Sequence, residues 1–180
     1  MNSETYRQAV IDANCLERGN FTLHSGAPSS LKINCDKLWL PRAENELEIV
    51  VHGLVKMVHD AKIEFDTVMG VPSGANKWAL AIGEKCMRAV IRMEKKGGLA
   101  VYSSNHDREL AAAAQNVLVV EDVVTTRRSA LAAIAQDEFI GKNNVAGLVS
   151  IWDRGNQAVH LPFPGICASL VNEELFDDLA

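Results

Sequence analysis

Residues 117–129 read VLVVEDVVTTRRS. The opening run, residues 117–120, is apolar and rich in valine, which is typical of a strand covered on both faces of a parallel sheet. Two carboxylates, Glu121 and Asp122, follow at the carboxyl end of this strand. A hydroxyl-rich turn over residues 125–129 then opens a helix, and the backbone N–H groups and dipole at such a start attract a phosphate. The stretch therefore predicts a buried strand that brings acidic and hydroxyl side chains to one edge of a sheet.

Two interpretations of these polar residues stay open. Carboxylates beside a phosphate-binding turn can accept hydrogen bonds from sugar hydroxyls or hold a hydrated Mg²⁺, which would make a ribose-phosphate site. Alternatively, Glu121 and Asp122 begin a polar loop, and Thr125 or Thr126 caps the following helix.

Strands and helices alternate along the rest of the chain. Further strands are predicted at residues 65–69, 89–93 and 145–152, and helices at residues 4–18, 44–61, 76–87 and 129–137. This alternation predicts an α/β fold, a mainly parallel sheet flanked by helices. Ligands bind such sheets at the carboxyl ends of the strands. We expect one domain over residues 1–180, with a small N-terminal hood largely from residues 1–40.

Composition narrows the class of protein. The chain has 180 residues, a formal net charge of −5 and 48% apolar residues, as expected for one globular domain. The acidic balance argues against a nucleic-acid surface, and no apolar run is long enough for a membrane span. The N-terminus has no apolar signal segment, so a cytoplasmic location is expected. The four cysteines have no C-x-x-C spacing and are predicted to be unpaired, buried apolar residues: Cys15, Cys35, Cys86 and Cys167.

The polar stretch at residues 121–126 resembles the phosphoribosyl pyrophosphate signature of type I phosphoribosyltransferases. Four other segments are similar to the orotate phosphoribosyltransferase family and occur in that family's order: residues 19–26, 70–75, 92–96 and 152–154. The resemblance implies the type I phosphoribosyltransferase fold. It also implies a pentosyltransferase of pyrimidine biosynthesis, which transfers ribose 5-phosphate from phosphoribosyl pyrophosphate to orotate and forms orotidine 5′-monophosphate and pyrophosphate. Mg²⁺, bound mainly through substrate and water, and a homodimer are expected on the same ground.

The resemblance assigns the ribose-phosphate end of the site to residues around the acidic pair. Glu121 and Asp122 would hold the ribose hydroxyls as catalytic residues. Thr125, Thr126 and Ser129 would bind the 5′-phosphate.

Four residues are assigned to the pyrophosphate end. Ser73 and Gly74 belong to the segment that matches the pyrophosphate loop. Arg92 and Lys96 would bind pyrophosphate. Lys96 is also assigned as a catalytic residue and is a candidate to reach into a neighbouring subunit's site. Without the resemblance, the two cations could equally be solvated charges at a strand end.

Arg154 is assigned to recognition of the base, because a guanidinium can pair with a carboxylate or carbonyl through two donors in a fixed fork. Its segment could also be an ordinary turn, since Asp and Gly favour turns. The hood lacks the family's lysine and aromatic pair, and Lys32 could replace the lost charge. Residues 97–110 form a polar segment suited to a mobile lid, and His106 within it is a weak catalytic candidate.

One departure bears on the phosphate turn. Arg127 and Arg128 stand where the family has small residues, mostly glycine. They could supply charge to the phosphate or fill its pocket.

Three functions stay open: an active orotate phosphoribosyltransferase, a family member with altered base specificity, and an inactive homologue that binds a nucleotide or phosphosugar. Neither a P-loop nor a G-x-G-x-x-G motif occurs.

Overall fold

The computed structural model describes residues 2–22, 26, 28–135, 145–155 and 165–172. Its helices are α1 (Ser3–Asp12), α2 (Glu44–Asp60), α3 (Asn76–Cys86), α4 (Asn105–Ala113) and α5 (Arg128–Ala135). Its strands are β1 (Leu16–Thr22), β2 (Pro28–Ile33), β3 (Thr67–Gly70), β4 (Ala89–Ile91), β5 (Met93–Lys96), β6 (Leu99–Tyr102), β7 (Val117–Val124), β8 (Val145–Asp153) and β9 (Ile166–Asn172).

Five of these strands form the central sheet, in the order β4-β3-β7-β8-β9, and every pairing in it is parallel. The predicted α/β fold with a parallel sheet flanked by helices is confirmed. Strand β7 lies in the middle, and residues 117–120 are completely buried. Their apolar character is explained by this position, because a central parallel strand is covered by other elements on both faces.

Helix α2 follows its prediction closely. Its apolar residues recur at three- and four-residue spacing, and Val50, Leu54 and Val58 are buried in the core. His52 and His59, on the other side of the helix, are exposed.

Other bounds differ from the sequence prediction. The helix predicted over residues 4–18 ends at Asp12, because Asn14 adopts a left-handed φ of 57° and the chain then enters β1. The strand predicted over residues 89–93 is divided at Arg92 into β4 and β5. Strand β7 continues through the acidic pair to Val124. The last two residues of the helix predicted at 129–137 lie outside the described residues.

The N-terminal section has two parts. Strands β1 and β2 pair as an antiparallel hairpin, whose connection at residues 23–25 and 27 lies outside the described residues. Helix α1 packs instead against α2 and β9. Across the described part of the chain, no helix is long and apolar enough to cross a bilayer.

The prediction for the cysteines is half right. All four are unpaired; Cys15 and Cys35 are buried. Cys86 is half-buried at the end of α3, and Cys167 is exposed. Burial fails for Cys167 because β9 is an edge strand of the sheet.

Candidate active site

A cavity of about 490 Å³ opens at the carboxyl ends of β3, β7 and β8, beneath the hairpin of β1 and β2. Its volume is in the range of small-molecule sites. Nine residues predicted for the site line it: Lys32, Ser73, Gly74, Glu121, Asp122, Thr125, Thr126, Ser129 and Arg154. The fold thus brings together segments separated by more than a hundred positions of sequence.

The acidic pair sits at the floor of the cavity. Glu121 is only 8% exposed, and its Oε2 is buried and finds no hydrogen-bond partner among the described residues. Burial raises the pKa of Glu121 to about 8, and the negative charge of Asp122 acts in the same direction, whereas the positive charge of Lys95 opposes them. The Oδ1 atom of Asp122 accepts a hydrogen bond of 2.8 Å from the Val123 N–H.

The loop after β3 passes close to this pair. Its Val71 N–H donates to the Val120 carbonyl at 2.9 Å, which continues the pairing of β3 with β7. The peptide bond between Pro72 and Ser73 is cis. A Cβ on Gly74 would lie 2.7 Å from Oδ2 of Asp122, so a larger residue at this position would have to displace that carboxylate or the loop.

Lys95, a basic residue of segment 92–96 to which the resemblance assigns no specific role, lines the cavity. Strand β5 pairs with β6 in an antiparallel hairpin, and successive side chains of a strand point to opposite faces. Met93 and Lys95 therefore share one face, on which Met93 is buried and Lys95 reaches the cavity. Lys96 points to the other face and pairs with Glu94 at 2.7 Å.

Arg92 is also held away from the cavity. Its Nε donates to Oδ1 of Asp107 at 3.3 Å, and its backbone N–H donates to the same oxygen at 2.9 Å. Burial alone would raise the pKa of Asp107, but hydrogen bonds from Ser104 and Arg92 outweigh it and lower that pKa. Of the predicted site residues, Arg92 and Lys96 thus fall outside the cavity as the described residues define it.

The segment predicted to serve as a lid, residues 97–110, consists of a turn, strand β6 and the start of helix α4, and its role as a lid stays a prediction. Gly97 and Gly98, with φ of 59° and 84°, make the turn of the β5–β6 hairpin, and α4 follows. His106 is exposed in the first turn of α4.

Both arginines of the phosphate turn line the cavity, but they make different contacts. Arg127 has a left-handed φ of 56°, the backbone conformation that explains why glycine suits this position. Its guanidinium pairs with Asp153 at the end of β8. Arg128 begins α5, is exposed and lines the cavity.

Arg154 connects the sheet to the hairpin above the cavity. Its Nη1 donates to the Leu31 carbonyl at 3.2 Å, and its Nη2 donates to Oγ of Ser29 at 3.4 Å. Phe21, on β1, lines the same cavity and supplies an aromatic ring that the sequence analysis did not assign. Phe21 belongs to residues 19–26, the segment similar to the family's hood, so the sequence contained the information needed to place it at the site.

Curated relatives are similar to this chain in sequence over most of its length. The orotate phosphoribosyltransferase of Caldicellulosiruptor bescii is 30% identical over 165 residues, which cover 91% of this chain and 82% of that protein. The chain belongs to the orotate phosphoribosyltransferase family. No protein-family model matches it.

Solved structures of orotate phosphoribosyltransferases have the same fold. The enzyme from Aeropyrum pernix superposes with a TM-score of 0.69 at 22% identity, covering 92% of each chain. The Mycobacterium tuberculosis enzyme in complex with phosphoribosyl pyrophosphate gives a TM-score of 0.60 at 20% identity and covers 94% of this chain and 96% of that one. The type I phosphoribosyltransferase fold and the pentosyltransferase class follow for this chain.

Proposed function

We propose that this protein transfers ribose 5-phosphate from phosphoribosyl pyrophosphate to orotate, with release of pyrophosphate. The observation that carries the proposal is the single cavity in which an acidic pair, a hydroxyl-rich helix start and Arg154 meet. Membership of the orotate phosphoribosyltransferase family supports the choice of base. In the reaction, the bond from the anomeric carbon to the pyrophosphate oxygen breaks, and a bond from that carbon to a ring nitrogen of orotate forms.

The acidic pair would act on the ribose. The anomeric carbon gains positive character as pyrophosphate leaves, so carboxylates near the ring stabilise the transition state and orient the hydroxyls. Asp122 is half-buried and lines the cavity, which suits it to accept hydrogen bonds from two hydroxyls. Glu121 keeps its proton at neutral pH because its pKa is raised to about 8, so it would complete the set as a buried, neutral hydrogen-bonding partner.

The phosphate and pyrophosphate would lie at opposite sides of the acidic pair. Thr125, Thr126 and Ser129 would bind the 5′-phosphate at the N-terminus of α5, where the helix dipole favours an anion. Ser73 and Gly74 would bind pyrophosphate on the other side, and Lys95 would offset its charge.

Arg154 would recognise the carboxylate or carbonyl groups of the base. Lys32 lines the cavity from β2 and would add positive charge there. The absence of the family's aromatic pair from this hairpin favours a second candidate, the same transfer to a base other than orotate.

Mg²⁺ fits the residues present. It prefers oxygen ligands, and Oε2 of Glu121 is a buried oxygen without a partner among the described residues, next to Asp122. When bound, the ion would neutralise charge on the pyrophosphate group. Most of its ligands would come from substrate and water, as the family resemblance implies.

A homodimer and a cytoplasmic location stay predictions, as does one domain with a hood from residues 1–40. Among the described residues, Arg92 and Lys96 lie outside this cavity of their own chain; their pyrophosphate role stays a prediction, and Lys96 is the candidate for a neighbouring subunit's site. Mixing the Lys96→Ala and Asp122→Asn variants tests the sharing. Recovered activity would support a shared site, and a mixture as inactive as its parts would contradict it.

A panel of bases tests the proposal. The protein is incubated with phosphoribosyl pyrophosphate, Mg²⁺ and orotate, uracil, adenine or hypoxanthine, and nucleotides are separated by chromatography. Preferential formation of orotidine 5′-monophosphate is expected. Another nucleotide would favour the second candidate. Binding of phosphoribosyl pyrophosphate without any nucleotide would leave a phosphosugar-binding homologue.

A further inference from the structure

We propose that the ion pair between Arg127 and Asp153 is a positioning device that fixes the base-binding Arg154 relative to the phosphate turn. The inference rests on the proposed function. It assigns to Arg127 a role in the affinity for the base, although Arg127 lies in the turn that meets the 5′-phosphate.

The pair joins two neighbouring strand ends. Val124, the last residue of β7, is in register with Asp153, the last residue of β8. The left-handed backbone of Arg127 directs its side chain across this gap, where its guanidinium pairs with Oδ2 of Asp153. The two side chains are 13% and 6% exposed, so the contact is largely shielded from water. A shielded charge pair is far harder to separate than a surface pair.

The other oxygen of the same carboxylate holds the next segment. Oδ1 of Asp153 accepts a hydrogen bond of 2.8 Å from the Gly155 N–H. Arg154 lies between Asp153 and Gly155 in the sequence, and its backbone N–H donates to the Val124 carbonyl at 2.8 Å. The Asp153 carboxylate therefore binds Arg127 with one oxygen and the backbone of Gly155 with the other. It links the phosphate turn to the residue that follows Arg154.

The two segments also touch directly. A Cβ on Gly155 would lie 2.0 Å from the Thr125 carbonyl oxygen, so the chain after Arg154 passes against the phosphate turn. The Arg154 guanidinium contacts Leu31 and Ser29 at its far end, whereas the Arg127–Asp153 pair fixes the backbone from which the side chain starts. Arg127 also lines the cavity, but its guanidinium already pairs with the Asp153 carboxylate, so we assign it to that carboxylate rather than to the phosphate.

The surroundings of the pair add few other charges. Its described neighbours on β8 and β9 include Ser150, Ser169 and Asn172, which are uncharged. Cys167 is exposed as a residue, but its thiol is partly covered beside Arg127; this covering raises the pKa of the thiol, and the Arg127 guanidinium acts in the opposite direction. Among the described residues that line the small pocket beside the pair, Arg127 and Asp153 carry the charges.

Steady-state kinetics of Arg127→Gly, Arg127→Lys and Asp153→Asn test the role, with Arg42→Ala as a control for loss of an exposed arginine. We expect the KM for orotate to rise roughly five- to a hundredfold, the range of site–site coupling. The KM for phosphoribosyl pyrophosphate should change much less. The Arg127→Gly, Asp153→Asn double variant should be no worse than the poorer single variant, because the residues act as a unit.

Hydrogen exchange provides a readout independent of turnover. Amides of residues 153–155 should exchange faster in Arg127→Gly than in the wild-type protein, while amides of α2 stay protected. Unchanged exchange, or a rise confined to the KM for phosphoribosyl pyrophosphate, would overturn the positioning role. If the wild-type protein makes no nucleotide, the proposed function is wrong. The hydrogen-exchange measurement would then still show whether the ion pair fixes residues 153–155.

Discussion

The Cα of Gly74 lies so close to the Asp122 carboxylate that an added Cβ would stand 2.7 Å from Oδ2. Real Cβ atoms do not approach an oxygen this closely, so alanine at this position must move the carboxylate or the loop. The contact places the proposed pyrophosphate loop directly against the residue proposed to hold the ribose. A substitution at Gly74 should therefore displace the Asp122 carboxylate, and a substitution at Asp122 should alter the position of the loop.

Gly74→Ala is therefore expected to weaken binding of phosphoribosyl pyrophosphate by roughly tenfold or more, since a displacement of this size disturbs positioned groups. Isothermal titration calorimetry with Mg²⁺ present measures the affinity. Thermal unfolding serves as the control, because the loop is at the edge of the core and the midpoint should shift little. Wild-type affinity in a folded variant would show that Asp122 does not contact the sugar.

Lys95→Ala should lower kcat/KM for phosphoribosyl pyrophosphate by about ten- to a hundredfold, the value of a charge-assisted hydrogen bond. Lys95→Arg should recover part of the loss. The matched control is Lys85→Ala, which removes an exposed lysine at the end of α3. If the Lys95 and Lys85 variants behave alike, Lys95 does not face the pyrophosphate.

Glu121→Gln should change how stability depends on pH. The pKa of Glu121 rises from its ordinary value of 4.5 to about 8 on folding. Between these values the unfolded chain loses the proton while the folded chain keeps it, so the free energy of unfolding decreases as pH rises. Glutamine removes this decrease. The variant should gain stability over the wild type between about pH 5 and about pH 9.

Urea unfolding at both pH values measures the difference, with Glu84→Gln on the exposed surface of α3 as the control. A variant whose stability follows the wild type at both pH values would mean that Glu121 is ionised in the folded protein.

Asp107→Asn should destabilise the fold by about 1–3 kcal/mol, because it weakens a buried set of hydrogen bonds to Arg92 and Ser104. The pKa of Asp107 is lowered on folding, so its contribution is present above its unfolded pKa and lost as pH falls through the folded one. Denaturant unfolding at neutral pH measures the loss, and Glu109→Gln on the exposed face of α4 is the control. Equal stability of the two variants would contradict the account of Arg92.

Local pattern predicted the centre of the fold well. Residues 117–129 contain a buried strand, an acidic pair and a helix start in one continuous segment, and the parallel sheet fixes their common edge. The ligand end of the sheet follows from that arrangement without knowledge of long-range contacts.

The features that were missed depend on contacts between distant residues. Strand β4 ends before Arg92, whose backbone N–H donates to Asp107. Strand β5 begins after this interruption, and its alternation determines that Lys95 rather than Lys96 faces the cavity. Twenty-six positions separate Arg127 from Asp153, so their pairing becomes visible only when β7 and β8 are in register. Cavity residues on β1 and β2, such as Phe21, required the hairpin to be placed above the sheet.

Product formation tests the central claim most directly. Pyrophosphate and orotidine 5′-monophosphate are quantified together after the wild-type protein is mixed with phosphoribosyl pyrophosphate, orotate and Mg²⁺, with Asp122→Asn in parallel. We predict equal amounts of both products from the wild type and a strong decrease in the variant. Absence of pyrophosphate from folded wild-type protein, or undiminished turnover by Asp122→Asn, would contradict the proposed site.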